Sequence, residues 1–102
     1  MTRSFAISID AIKERFLPHL DSLVPQLFPN ARRSGNEWIM GDLRGAPGRA
    51  VSINRRTGWL KDFRYGAGQG GGGDILTVIA AGACDGDVRA AIPWALRYLN
   101  LG

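Results

Sequence analysis

The chain has 102 residues, of which 45% are hydrophobic, and this length fits one small globular domain. No apolar run reaches the roughly 18–20 residues that span a bilayer, and the first residues lack the apolar stretch of a secretory signal, so we expect a cytoplasmic protein. The single cysteine, Cys84, excludes an internal disulfide and a cysteine-based zinc site. No Ser/His/Asp or Cys/His set and no convincing acidic cluster is visible, so we expect no catalysis by this chain alone.

Positive charge is concentrated in one third of the chain. The formal net charge is +4, and most of the basic residues are arginines. Residues 32–64 contain eight basic and three acidic residues, a net charge of +5, whereas the rest of the chain has a net charge of −1. Arginine forks onto phosphates and stacks on bases, so this segment predicts binding of a polyanion such as nucleic acid. The alternative is a solvated, arginine-rich surface without a ligand.

Residues 1–30 are predicted to form a helical lead-in, because apolar residues recur in them at helical spacing. Ser8 is a suitable N-cap for the first helix. Pro18 removes a backbone donor and should kink or break this helix, after which Asp21 is expected to cap a second short turn. The polar segment 30–36 is expected to be a connector.

Residues 37–65 change to short strands broken by turns, which predicts a small antiparallel meander. The three expected strands are 38–40, 50–53 and 59–63, with a hairpin loop at 54–58. Trp38 and Phe63 are expected to fill the core. For Trp59, which directly follows the basic turn, core packing and exposure are equally favoured.

Glycines dominate residues 66–73, which we expect to be a flexible loop leading to a helix capped by Asp74. This loop lacks the Lys-Ser/Thr pair of a phosphate-binding P-loop. A last helix, capped by Asp85 or Asp87, completes a helical region over 74–100. The predicted fold is therefore α+β, with a three-stranded antiparallel sheet flanked by N- and C-terminal helices in a single domain.

Several short motifs occur in a distinctive order between Glu37 and Ala80. They are Trp38, Gly41-Asp42-Leu43-Arg44-Gly45, Ile53-Asn54, Trp59-Leu60-Lys61-Asp62-Phe63 and Gly73-Asp74-Ile75-Leu76. This order resembles the N-terminal zinc-ribbon domain of bacterial and phage DNA primases. It is similar in particular to metal-free versions of that domain in primase-like proteins of phages and mobile elements.

The zinc ligands of that family have no counterpart in this chain. In the family, a Cys-x-x-His pair opens the ribbon and a Cys-x-x-Cys pair closes it. Aligning the strands places Gly41 and Arg44 at the first pair, and Asp62 and Tyr65 at the second. We therefore expect no zinc and no other cofactor, and apolar packing must replace the metal's contribution to folding.

The resemblance implies an accessory domain that contacts single-stranded DNA template during DNA replication. It also implies that the chain is the N-terminal part of a longer primase-like protein, or that it assists a primase catalytic domain or a helicase. Trp59 is a candidate stacking platform, because strand alternation places it on the same face as Lys61. The predicted nucleic-acid contacts are Arg32, Arg33, Arg44, Arg49, Arg55, Arg56, Trp59, Lys61 and Arg64.

A protein-interaction module is the alternative function. Trp94 and Tyr98 lie four residues apart on the last predicted helix, so they share one flank. Aromatic side chains are favoured interface anchors, and this flank would dock on a replication or mobile-element protein.

Overall fold

The computed structural model describes residues 8–63 and 72–100, and it confirms the predicted α+β class. Two short helices precede a sheet, and two more helices follow it. A single turn of 3-10 helix, Leu17–His19, joins the first two helices. The helices are α1 (Ile9–Phe16), α2 (Leu20–Leu27), α3 (Ile75–Ala83) and α4 (Val88–Tyr98). Within the described residues, no helix is long and apolar enough to cross a bilayer.

In the described residues the sheet has five strands, two more than the sequence predicted, and all neighbours are antiparallel in chain order. The strands are β1 (Arg32–Ser34), β2 (Glu37–Met40), β3 (Val51–Asn54), β4 (Leu60–Asp62) and β5 (Gly72–Gly73). The central meander, β2 to β4, matches the prediction. The sheet extends beyond the predicted ribbon at both of its edges.

The two unpredicted strands lie where we expected a connector and a glycine-rich loop. β1 is polar and exposed, so it has no apolar alternation to reveal it. It forms because its backbone pairs with β2 across the two-residue turn Gly35-Asn36, in which Gly35 has a φ of +59°. At the other edge, the last two glycines of the expected loop pair with β4. Residues 64–71 lie outside the described part of the chain.

The sheet has two chemically different faces, because directly opposed residues in antiparallel strands point to the same side. The inner face packs against the helices and carries Trp38, Met40, Val51, Ile53, Leu60 and Asp62. The outer face carries Arg32, Ile39, Ser52, Lys61 and Gly72 in one row across the five strands. Leu60 and Asp62 are buried whereas Lys61 is exposed, so the predicted alternation along β4 is confirmed.

Three of the predicted helix starts are confirmed. The Ser8 hydroxyl accepts a hydrogen bond from the N–H of Ala11 at 3.0 Å. The carboxylates of Asp74 and Asp87 cap α3 and α4 in the same way, so Asp87 rather than Asp85 begins the last helix. Such capping bonds are local and satisfy N–H groups that have no partner within the helix, which is why the sequence reveals them.

The first helical region breaks at Pro18, as predicted, and continues through the 3-10 turn into α2. Asp21 was expected to cap this second helix, and that prediction is wrong. His19 is the N-cap residue, and the Asp21 carboxylate accepts hydrogen bonds from Trp38 of β2 and from Arg55 in the turn after β3.

The hydrophobic core formed by the described residues lies between the inner face and helices α1 to α4. Its largest fully buried side chains include Phe16, Leu23, Phe28, Ile53 and Ile79. The prediction that Phe63 fills this core is wrong, because 54% of that residue is exposed. Trp38 is half-buried and packs against the edge of the core.

Candidate nucleic-acid interface

A groove of about 790 Å³ opens between the edge strand β1 and the loop 41–50 that joins β2 to β3. Arg32 and Arg33 line it from the strand, and Arg49 lines it from the loop. Ile39 and Pro47 add apolar surface. None of the described residues that line the groove carries a carboxylate. The groove therefore brings three of the predicted contact residues together in a positively charged concave surface.

The loop 41–50 folds back on itself and places Arg49 next to the groove. The N–H of Gly41 donates to the carbonyl of Ala46 at 2.6 Å, which closes the loop. Gly48 has a φ of +148°, and a Cβ atom there would lie 2.7 Å from the Cα of Gly41. Only glycine fits this backbone crossing, because it combines an unusual φ with close contact between two main chains. The position of Arg49 thus depends on these two glycines.

Arg55 was predicted to contact phosphate, but its guanidinium is already bound within the protein. It donates two hydrogen bonds to the Asp21 carboxylate, at 2.8 Å from Nε and 2.6 Å from Nη2. A third bond, 3.1 Å long, goes from Nη1 to the carbonyl of Gly35. The indole N–H of Trp38 donates to the same carboxylate at 3.0 Å. We therefore assign Arg55 a structural role: it joins the β3–β4 turn to α2 and to the β1–β2 turn.

This network perturbs both ionisable partners. The hydrogen bonds from Arg55 are the largest influence on Asp21; with the bond from Trp38 and the charge of Arg33, they outweigh burial and hold the carboxyl pKa well below its usual range. The same hydrogen bonds raise the pKa of Arg55. The pair is therefore fully ionised at neutral pH.

The other predicted cations are dispersed. Arg44 and Arg56 are exposed, and both lie outside the set of described residues that line the groove. Lys61 is exposed on the outer face, in the same row as Arg32. Arg64 lies outside the described residues.

Trp59 is 47% exposed. Its alternation with Leu60 and Asp62 places it on the outer face beside Lys61, as predicted. Phe63 is the aromatic residue that sequence reasoning missed at this site. Phe63 is two residues after Lys61, so the same alternation indicates that it lies on the outer face.

The four positions aligned with zinc ligands do not form a centre in the described structure. Gly41 and Arg44 lie in the loop 41–50, Asp62 is buried on the inner face, and Tyr65 falls outside the described residues. Across residues 8–63 and 72–100, no group of three or more His, Cys, Asp or Glu side chains gathers closely enough to hold a metal ion.

The aromatic residues of α4 pack within the protein. The rings of Trp94 and Tyr98 stack at a centroid distance of 5.4 Å, so the two residues share one flank of the helix, as predicted. Tyr98 also stacks on Phe16 at 5.2 Å and meets the edge of His19 at 5.9 Å. The stack therefore fixes α4 against the first helical region.

Comparison of the chain with protein-family models, with curated proteins and with solved structures gives no match in any of the three searches. The likeness to primase zinc-ribbon domains stays a prediction from the sequence. Function must therefore be inferred from the charge and geometry of the groove and of the outer face.

Proposed function

We propose that this chain is a nucleic-acid-binding accessory domain, with single-stranded DNA as the favoured ligand. The observation that carries the proposal is the convergence of Arg32, Arg33 and Arg49 on one groove whose described lining lacks a carboxylate. Arginine matches the geometry of phosphate oxygens with paired N–H donors. Because Arg32 and Arg33 alternate on β1, with Arg33 opposed to Trp38, the three arginines suit phosphates of a nucleic-acid backbone on both sides of this sheet edge.

The proposed activity is binding without catalysis. The polypeptide binds through charge, so each neutralised phosphate releases condensed counterions and affinity falls as salt rises. A role in DNA replication, and association with a primase catalytic domain or a helicase, follow from the resemblance alone and are proposed on that ground.

The protein-interaction alternative has less structural support. Its predicted anchors, Trp94 and Tyr98, are half-buried and stacked against each other, and Tyr98 also covers Phe16. Rings already packed within the protein present less surface to a partner.

Fluorescence anisotropy with a labelled oligo(dT) at several salt concentrations tests the proposal. The test variant replaces the groove arginines together: Arg32→Gln, Arg33→Gln and Arg49→Gln. The matched control replaces three exposed helix arginines: Arg15→Gln, Arg89→Gln and Arg97→Gln. Each triple variant loses three positive charges from the same net charge of +4.

We expect the groove variant to bind at least about 10-fold more weakly at low salt. Its plot of log affinity against log salt should be shallower by about 2, the value for three lost phosphate contacts on a single strand. The helix variant should stay within about twofold of the wild type. Equal losses in the two variants would show that net charge, rather than the groove, governs binding, and the site assignment would fail.

A further inference from the structure

Two exposed aromatic residues lie at the two ends of β4. Four large apolar side chains are exposed among the described residues, and the two aromatic ones, Trp59 and Phe63, flank β4. The backbone is paired at both positions, because Asn54 N–H donates to the Trp59 carbonyl at 2.8 Å and Phe63 N–H donates to the Ala50 carbonyl at 2.7 Å. The segment 59–63 is therefore one extended stretch of chain.

Alternation along this stretch gives an aromatic, a cation and a second aromatic on the outer face. Residues two apart in a strand point to the same side, so Trp59, Lys61 and Phe63 form one row. The Cα atoms of the two aromatic residues are about 13 Å apart at the usual rise per residue. The indole lies beside Gly72 of the neighbouring strand, since a Cβ atom built at that glycine would be 3.5 Å from the ring.

The row is continuous with the basic groove. Lys61 shares its cross-sheet row with Arg32, three strands and about 14 Å away. Phe63 opposes Ala50, the residue after Arg49. Positive charge therefore borders the aromatic row from the strand itself and from the groove. Glu37 also faces outward, and its pairing with Asn54, which is in turn bonded to Trp59, places this carboxylate in the cross-sheet row of Trp59, two strands away.

From this arrangement we propose that Trp59 and Phe63 form a stacking platform for unpaired bases, so that the site selects single strands over duplex. The inference rests on the proposed nucleic-acid binding and adds the source of strand selectivity. Aromatic faces stack on bases of any sequence, and the bases of a duplex are already stacked on one another and are not free to do so. Lys61 between the rings and the arginines of the groove hold the phosphates of the same strand.

The favoured occupant is a nucleic acid rather than a protein because the apolar surface is divided by a cation and bordered by arginines. Two rings separated by Lys61 match the repeating base and phosphate pattern of a single strand. Protein interfaces, in contrast, are depleted of charge at their centre, and lysine in particular is rare there.

The test compares Trp59→Ala and Phe63→Ala with Ile9→Ala and Val88→Ala, which remove the other two exposed large apolar side chains. Each protein is titrated into labelled oligo(dT), oligo(rU) and a DNA duplex of equal length. We expect each aromatic variant to bind both single strands about 10-fold more weakly, while its duplex affinity changes less than about twofold. The Ile9 and Val88 variants should match the wild type on every probe.

Tryptophan fluorescence gives a second readout that does not depend on a destabilising truncation. Oligo(dT) should quench the wild-type emission, and Trp59→Phe should lose most of that quenching while its affinity stays within about threefold, because phenylalanine also stacks. Quenching that persists in Trp59→Phe would overturn the platform.

The outcomes separate the two proposals. Aromatic variants that bind single strands as tightly as the wild type, while the groove variant is impaired, would overturn the platform and leave nucleic-acid binding intact. Equal losses on single strands and duplex would also overturn it. A wild-type protein that binds none of the three probes at low salt would end both proposals.

Discussion

The two faces of the sheet are built from alternate residues of the same strands, but they contain different kinds of side chain. On β4, Leu60 is 1% exposed and faces the core, whereas its neighbour Lys61 faces outward and is exposed. The inner face packs against the helices, and at its edge the Asp21–Arg55 ion pair joins α2 to the turn after β3. The outer face presents aromatic and basic groups. We therefore assign stability to the inner face and the proposed binding to the outer face, so substitutions should change the two properties separately.

The arginines of the basic segment also differ in what they contact. Arg55 and Arg49 belong to one basic segment of the sequence, yet Arg55 is bound to an acid from α2 and Arg49 lines the groove. Asp21 lies outside the segment 32–64, so a local count of charge overstates the cations available to a ligand. The position of an arginine in the fold decides its role.

The largest expected effect is on the free energy of unfolding, and it distinguishes two adjacent residues of β4. Leu60→Ala should lower the free energy of unfolding by about 3 kcal/mol, because it removes a fully buried side chain and leaves a cavity. Lys61→Ala should change it by less than about 0.5 kcal/mol, because that side chain is exposed. Urea unfolding measures both. Similar losses in the two variants would show that the faces are not separated as described.

A substitution in the loop 41–50 should disturb the groove at a smaller cost. Gly48→Ala places a Cβ atom against Gly41 at a φ of +148°, so we expect a loss of about 1–2 kcal/mol. Displacement of Arg49 should also weaken oligo(dT) binding roughly threefold, the effect of impairing one phosphate contact.

The control for this loop is Gly86→Ala between α3 and α4. Gly86 also has a positive φ, +86°, but no atom lies within 4 Å of its Cβ position. This variant should lose stability without losing affinity. If both glycine variants bind oligo(dT) as the wild type does, the loop does not position a ligand contact.

Asp21→Asn should have a moderate effect on stability that depends on pH. The folded-state pKa of Asp21 lies below the value near 4 of an unfolded chain, so its contribution is complete above about pH 5 and is lost as the pH falls. At pH 7 we expect the Tm to fall by about 5 °C, the shift for a loss on the order of 1 kcal/mol in a small domain.

The difference in Tm between this variant and the wild type should shrink as the pH is lowered from 5 to about 3, since Asp21 in the unfolded wild-type chain then takes up a proton and the ionised folded state loses part of its advantage. Asp10→Asn is the control, because that carboxylate is 94% exposed and lies 4.0 Å from Lys13. A Tm difference that is constant with pH would contradict an ionised role for Asp21.

The smallest expected effect concerns the dispersed cations. Arg44→Gln and Arg56→Gln each remove an exposed charge outside the groove, so oligo(dT) affinity should fall less than about twofold at physiological salt. Anisotropy titrations measure this directly. A loss in either variant as large as that of Arg49→Gln would extend the binding surface beyond the groove and outer face.

Features set by neighbouring residues were predictable from the sequence. The caps Ser8, Asp74 and Asp87, the break at Pro18 and the central meander all follow from contacts a few residues apart or from alternation. β1 was missed because it depends on backbone pairing rather than on its side chains.

For the candidate site, the sequence predicted a set of cations but not their arrangement, and one of them, Arg55, is bound within the protein. The Asp21–Arg55 contact joins residues 34 positions apart, and no local pattern indicates it. The groove likewise needs the β1 edge and the folded loop 41–50 to meet. Phe63 was misplaced because its apolar character suggested the core, although its alternation with Leu60 and Asp62 placed it outside.

The measurement that tests the central claim most directly is an NMR titration of the isotopically labelled protein with oligo(dT). We predict that the largest amide shifts map to the groove and the outer face, at Arg32, Arg33, Arg49 and Lys61, while α4 stays unchanged. Shifts centred on Trp94 and Tyr98, with the groove unaffected, would contradict the account and favour the C-terminal helix as the binding surface.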